Sequence, residues 1–313
     1  MARAPLFAVA ALLATLIVQQ AGAVVRGDKR VLIVLATSGS QPYSVAEVER
    51  TVRQADAFFR ASSFGQVRLD VDVTPWLAAF NADPGCGGLT SDSFEAVVAP
   101  ARVAAKRAGY NAARYDDAIY AIADSHCAFH GETWGNEVML TRQPTLQLMV
   151  HELGHTFGLG HAQASTCTVK PARCSLDGTG DSLSPMGKGT LDFSAYEKVT
   201  LGWIPPEPHV SSAGRYVLAP PTFKTKLPQA LLVDTTEGAW WIEYRSQPFR
   251  GIVFRFVDRQ IAPSAFAPPA ALMQNPTKAG RPWVARGEGY RIPGSFRVTL
   301  VRAGAARAEV RFR

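Results

Sequence analysis

His151-Glu152-Leu153-Gly154-His155-Thr156-Phe157-Gly158-Leu159-Gly160-His161 is the stretch on which the reading of this chain turns. On a helix, residues four apart lie nearly one above the other, so His151 and His155 present imidazoles to one point. Neutral imidazoles suit Zn²⁺, which takes N or S donors in a tetrahedral array. Glu152 follows the first histidine and reaches a metal-bound water without ligating the metal itself. A straight helix would carry His161 away from that point. Gly158 takes a positive φ at no steric cost, ends the helix with a sharp turn and lets the chain double back to offer His161 as the third nitrogen. Three protein ligands leave a fourth position open, which marks a catalytic rather than a closed structural site. With six histidines in 313 residues, a chance HExxH has an expected frequency on the order of 0.01. The later Gly and His lower that further. The expected set is therefore one Zn²⁺ on His151, His155 and His161, with Glu152 as the catalytic carboxylate.

The elements around this stretch follow from periodicity. Val31 to Ala36 is an apolar run of strand length, the pattern of a strand buried on both faces. Ser44 and Glu47 form a capping box opening a helix whose Val45, Val48, Val52, Ala55 and Phe59 line one face. Val67 to Val73 alternates as a half-exposed strand, and a Gly-rich turn spans Gly85 to Gly88. A helix from about Phe94 to Arg107 is expected to kink at Pro100. Ala118 to Ala123 reads as a buried strand and Gly135 to Thr141 as a short one, with a helix from there to about Phe157. Past Trp203 the texture changes. Pro205, Pro206 and Pro208 punctuate, and short strand-like runs follow at Tyr216–Leu218, Ala230–Asp234, Trp240–Arg245, Ile252–Val257, Phe296–Val301 and Ala308–Phe312. That spacing predicts a small β-sandwich-like module, with Ala262 to Pro282 as a long surface loop.

Composition narrows the class. The chain is 47% hydrophobic and 19% charged, which excludes a mainly disordered protein. Arg3, the apolar run Leu6 to Val18 and the small residues of Ala21-Gly22-Ala23 read as a secretory signal peptide over residues 1–23. The run is too short to span a membrane, so no stable span and a secreted, extracellular or periplasmic, location are expected. Removing Arg3 takes the net charge from +7 to +6. The remaining basic residues are scattered, and no nucleic-acid partner is predicted. Export makes disulfides plausible among Cys86, Cys127, Cys167 and Cys174. Four cysteines allow three pairings; the short loop between Cys167 and Cys174 suggests a local bridge, leaving Cys86 with Cys127. His126 and His130 read as surface histidines, and His209 in the Pro-rich linker carries no assigned role.

HExxHxxGxxH is the signature of the metzincin metallopeptidases, and the chain resembles that family. Ser184-Pro185-Met186-Gly187 stands where the family's Met-turn lies beneath the metal. Within the metzincins the chain is most similar to the gametolysin-type secreted peptidases. His151 to His161, Gly180 to Gly187, Tyr196 to Trp203, Trp241 to Arg245 and Gly251 to Arg255 carry that resemblance. It implies an α+β fold: a zincin catalytic domain over residues 24–204, with a mixed twisted sheet and two long helices above a zinc cleft, then a β-rich domain over 205–313. It implies a zinc-dependent endopeptidase with Glu152 as general base and acid, acting on a protein or peptide. The substrate would add as a strand to an edge at roughly Glu132 to Leu140, with Gly135, Asn136, Glu137 and Val138 at its centre. Alternatives from other classes are a zinc hydrolase of other amide or cell-wall substrates and a non-catalytic binding or adhesion protein on a peptidase scaffold. The sequence departs from the family at three points. Between Ala23 and Val31 there is no room for an inhibitory propeptide. Lys188 stands where some metzincins have a tyrosine, leaving Tyr196 as a candidate that reads better as packing. Asp177 to Asp181 is too thin to support a calcium site. Oligomeric state has no signal in the sequence.

Overall fold

The structure is a computed structural model, and it describes residues 24–86, 90–123, 127–167, 174–260, 270–277 and 280–313. The signal-peptide reading of 1–23, His126 and much of the 262–282 loop lie outside the described residues. The architecture is α+β, with mixed sheets.

The N-terminal part is a sheet with helices on both faces. Strand β1 (Gly27–Thr37) is buried from Val31 onward because alternate side chains feed two separate cores. Val31, Ile33 and Leu35 pack with helix α1 (Val45–Ser62), whereas Leu32, Val34 and Ala36 pack with helix α2 (Ser91–Arg107). The Ser44 capping box opens α1, and the Ser44 main-chain N–H donates to Glu47 at 2.7 Å. A second capping box, Thr90 with Ser93, starts α2 earlier than its apolar periodicity suggested, and the helix continues through Pro100. The two longest helices, α1 and α2, thus lie on opposite faces of the sheet.

Strand β2 (Val67–Ala78) pairs parallel with β1, which pairs parallel with β3 (Asp117–Ile122). Next comes a hairpin that the sequence reading merged into one strand. Strand β4 (Gly131–Trp134) runs antiparallel to β5 (Glu137–Leu140), and β5 pairs parallel with β3. The order is β2-β1-β3-β5-β4. The expected substrate edge is therefore misplaced. Gly135, at φ +61°, and Asn136 form the turn. Glu137 and Val138 lie on an inner strand: Glu137 accepts from Arg102 Nη2 at 2.6 Å and from the Tyr120 hydroxyl at 2.8 Å, and Val138 is core. Of the stretch from Glu132 to Leu140, only the part on β4, up to Trp134, lies at a sheet edge. The error is one of register, because a tight Gly-Asn turn inside a run of strand formers is hard to see without its partner strands.

Helix α3 (Leu146–Thr156) packs with α1 on the same side of this sheet. After it come β6 (Gln163–Cys167), β7 (Cys174–Asp177) and the short helix α4 (Ala195–Thr200). The remainder is β8 (Gly214–Leu218), β9 (Ala230–Asp234), β10 (Gly238–Arg245), β11 (Gly251–Asp258), β12 (Ala270–Met273), β13 (Gly289–Arg291), β14 (Arg297–Ala303) and β15 (Ala308–Phe312). Two sheets form from these, ordered β7-β6-β12-β11-β10-β9 and β13-β14-β15-β8. Leu231, Ile242 and Phe254 from the first meet Val298, Leu300 and Val310 from the second in one core, which is a sandwich.

Residue 205 does not bound that sandwich. Its larger sheet takes β6 and β7 from before 205, and β12, a buried strand inside the expected surface loop, pairs parallel with β6. The outward face of the same sheet is buried too. Trp241 and Leu232 pack on Ala195 and Ile204, while Val253 and Leu272 pack on Leu183. The sequence boundary at 205 marks a change of texture, not a gap in packing. A chain ending at residue 204 should therefore lack a cooperative thermal transition in circular dichroism, while a chain running to residue 313 shows one. A fragment that melts cooperatively would contradict this packing.

Candidate metal centre

The stretch from His151 to His161 behaves locally as its residues dictate. Thr145 caps α3, its hydroxyl accepting from Leu148 N at 3.3 Å. Gly158, at φ +95°, ends the helix, and Leu159 N then donates to Gly154 O at 2.9 Å. The chain doubles back, and the side-chain nitrogens of His151, His155 and His161 come within 4.8 Å of one another.

The outer nitrogens fix the rings. His151 Nδ1 meets the Pro185 carbonyl at 2.8 Å and His155 Nδ1 meets the Leu159 carbonyl at 2.7 Å. A carbonyl only accepts, so both Nδ1 atoms carry the proton and both Nε2 atoms are left with lone pairs. Those two Nε2 atoms face each other at 3.2 Å. Two donors with ligand bonds of about 2.0–2.1 Å in tetrahedral array stand about 3.3 Å apart. Burial pushes His151 down to about 4, against the opposing effect of the Pro185 carbonyl, and pushes His155 down to about 3. His161 is lowered by the same cause. The rings stay neutral at physiological pH, the form that ligates metal.

Glu152 is buried and lies between α3 and the sheet edge. Its Oε2 accepts from the Thr133 hydroxyl at 2.6 Å, and its carboxyl packs so close to Gly131 that a Cβ there would overlap it. Burial chiefly, with the charge of Glu132, raises its pKa to about 7, although the Thr133 bond acts the other way. Gly131 and Thr133 share one face of β4 by strand alternation. Neither was singled out from sequence, since nothing in Gly131-Glu132-Thr133-Trp134 identifies an edge beside a helix.

The floor of the site is the loop from Asp181 to Lys188. Met186 is fully buried, and its sulfur lies so near Gly154 that a side chain at 154 would collide with it. Ala162 N, next to His161, donates to Met186 O at 2.8 Å, and Asp181 N donates to Ala162 O at 3.1 Å. Met186 thus sits beneath the helix turn that carries two of the histidines. Tyr196 does not join the site: its ring meets Trp241 edge-on at 5.2 Å inside a packed cluster. Lys188 is exposed and pairs with Asp177 at 2.6 Å. His130 is exposed, and His209 pairs with Asp234.

Cys86 and Cys127 form a disulfide, with Cα atoms 5.4 Å apart, and it ties the chain before α2 to the chain before β4. Cys167 and Cys174 face each other across the β6–β7 pair, but the side chain of Cys167 lies outside the described residues. Among the described residues no helix is long and apolar enough to cross a membrane.

No family model matches the sequence, and no curated protein matches it. Among solved structures, a chain described as "Structure of a chaperone-substrate complex" is similar at a TM-score of 0.33 and 12% identity, covering 56% of this chain. The match spans 34% of that chain's own length. A likeness of that depth carries no argument about this site.

The Gly154–Met186 contact is directly testable. Gly154→Ala should lower stability by about 1–3 kcal/mol through overpacking, read from urea unfolding. An unchanged midpoint would mean that Met186 does not pack beneath the helix as described.

Proposed function

We propose that this chain is a secreted zinc-dependent endopeptidase of the metzincin type, most like the gametolysin-type peptidases. The observation that carries the proposal is the pair of Nε2 lone pairs set 3.2 Å apart, with a third imidazole beside them and a buried carboxylate one residue after the first ligand. Two lone pairs so placed repel unless a cation lies between them, and three neutral nitrogens fit Zn²⁺ better than a hard cation. His151, His155 and His161 would hold the ion.

A bound zinc supplies Lewis acidity toward water and a scissile carbonyl. The remaining work belongs to the chain. Glu152 takes the proton of the attacking water and returns it to the leaving amine. The Thr133 hydroxyl holds Oε2, so Oε1 is the atom left to carry that proton. A raised carboxyl pKa suits both roles, because an acid–base group works best with a pKa near the operating pH. Strand β4 has no strand partner on its outer side among the described residues. It offers main-chain groups to an extended peptide in line with Glu152. That alignment favours a peptide over a glycan or a small amide.

The test is cleavage of reduced casein by the purified mature chain beside Glu152→Ala, with zinc content measured in both. Wild type should cut, a chelator should stop it, and the variant should keep zinc while losing about 10²–10⁴-fold in rate. Zinc-loaded wild type that leaves casein intact would favour the binder or the other-hydrolase reading instead. Gly131→Ala should also retain zinc, yet lose on the order of 10²-fold, because the new Cβ displaces the Glu152 carboxyl. Wild-type rates in that variant would remove Glu152 from the reaction.

A further inference from the structure

The six-stranded sheet buries two arginines and a glutamate among its apolar strands; Arg245 bonds Glu243 and the Phe193 carbonyl, and Arg255 reaches the loop beneath the histidines. Glu243 and Arg245 on β10 and Arg255 on β11 are all at most 2% exposed. Arg255 Nε donates to Asp181 Oδ2 at 3.0 Å, and its Nη1 donates to Glu243 Oε2 at 3.4 Å. Asp181 is wholly buried, and its other oxygen accepts from Leu183 N at 2.8 Å and Ser184 N at 3.0 Å. Ser184 Oγ accepts from Met186 N at 3.1 Å and donates to Glu197 Oε1 at 2.5 Å. Asp181 therefore winds the loop that presents the Pro185 carbonyl to His151 and the Met186 carbonyl to Ala162, beside His161.

We propose that Arg255 is a positioning residue for the metal centre, acting from the C-terminal sheet through Asp181 on the orientation of His151 and the placement of His161. Arg255 touches neither ligand. Its work is to hold a buried carboxylate whose two oxygens are divided between the sheet and the loop. On this account the β-rich part is a brace of the active site, which assigns it a role in the proposed peptidase beyond substrate contact. The proposal rests on the metal-dependent reading above. A charge lodged in an otherwise apolar strand is costly unless paired; Arg255 divides its pairing between Glu243 on the neighbouring strand and Asp181 on the site's floor, and its Nη2 is buried with no hydrogen-bond partner.

The test compares wild type, Arg255→Met, Arg255→Lys and Lys198→Met as full mature chains. Lys198 is a control: it is wholly buried and bonds Asp192 and the Pro221 carbonyl, so its loss strains the fold without touching the loop through its side chain. Two readouts are needed. One is the low-field proton NMR signal of the His151 Nδ1–H in metal-free protein, assigned by its loss in His151→Asn. The other is zinc affinity by chelator competition below the melting temperature, with the visible spectrum of the Co²⁺ form. Arg255→Met should lose the His151 signal and bind zinc about 10–100-fold more weakly. Arg255→Lys should fall between it and wild type, and Lys198→Met should keep both properties despite a lowered Tm. Should Arg255→Met not fold, Asp181→Asn replaces it, keeping an oxygen for Leu183 and Ser184 but not the charge toward Arg255. An unshifted His151 signal with wild-type zinc affinity overturns the brace. Wild type that takes up no zinc overturns the peptidase reading, while the NMR signal still decides the brace.

Discussion

Two imidazoles point their Nε2 lone pairs at each other 3.2 Å apart, and the groups packed around them hold that arrangement. The Pro185 and Leu159 carbonyls choose the tautomers. Helix geometry supplies the four-residue spacing, and the positive φ of Gly158 returns the chain so that a third ring can join. Left alone, such a cluster would relax by rotating a ring. The packing of Met186 under Gly154 and the loop wound around Asp181 remove that freedom.

The constraint spreads outward through buried polar groups. Asp181, Ser184, Glu197, Glu243, Arg245 and Arg255 form a connected set between the loop, α4 and the six-stranded sheet. Burying so many charges is expensive, and well-packed apolar residues often do better in stability terms. Such a network instead narrows the geometry, because its members share partners and few arrangements keep those bonds together, even with Arg255 Nη2 left unpartnered. On the metal-centre proposal, a site that holds three nitrogens at set distances benefits from that specificity. The six-stranded sheet, which takes β6 and β7 from before residue 205, carries part of the same network.

Legibility in the sequence tracked locality. The Ser44 capping box, β1, the end of α3 at Gly158 and the convergence of the three histidines all depend on residues close in sequence, and each was read from them. The β4–β5 hairpin was missed because its Gly135-Asn136 turn sits inside strand-like residues. Strand β12 was missed because Ala270–Met273 is short and stands in Ala- and Pro-rich surroundings. Its parallel partner β6 lies far away in the chain, and no local signal announces such a pairing. Glu243, Arg245 and Arg255 stand as charges in apolar runs, with no reading attached to them from sequence. What they pair with is a property of the folded arrangement alone. Gly131 and Thr133 are the same case, since their meaning depends on which helix residue faces them.

The most direct test of the account is X-ray absorption at the zinc edge on the purified protein. The predicted result is one zinc per chain with three nitrogen donors of imidazole type at about 2.0–2.1 Å and one oxygen donor. A chain that carries no zinc when supplied with it, or whose zinc shows sulfur donors, would contradict the assignment of His151, His155 and His161 as the site.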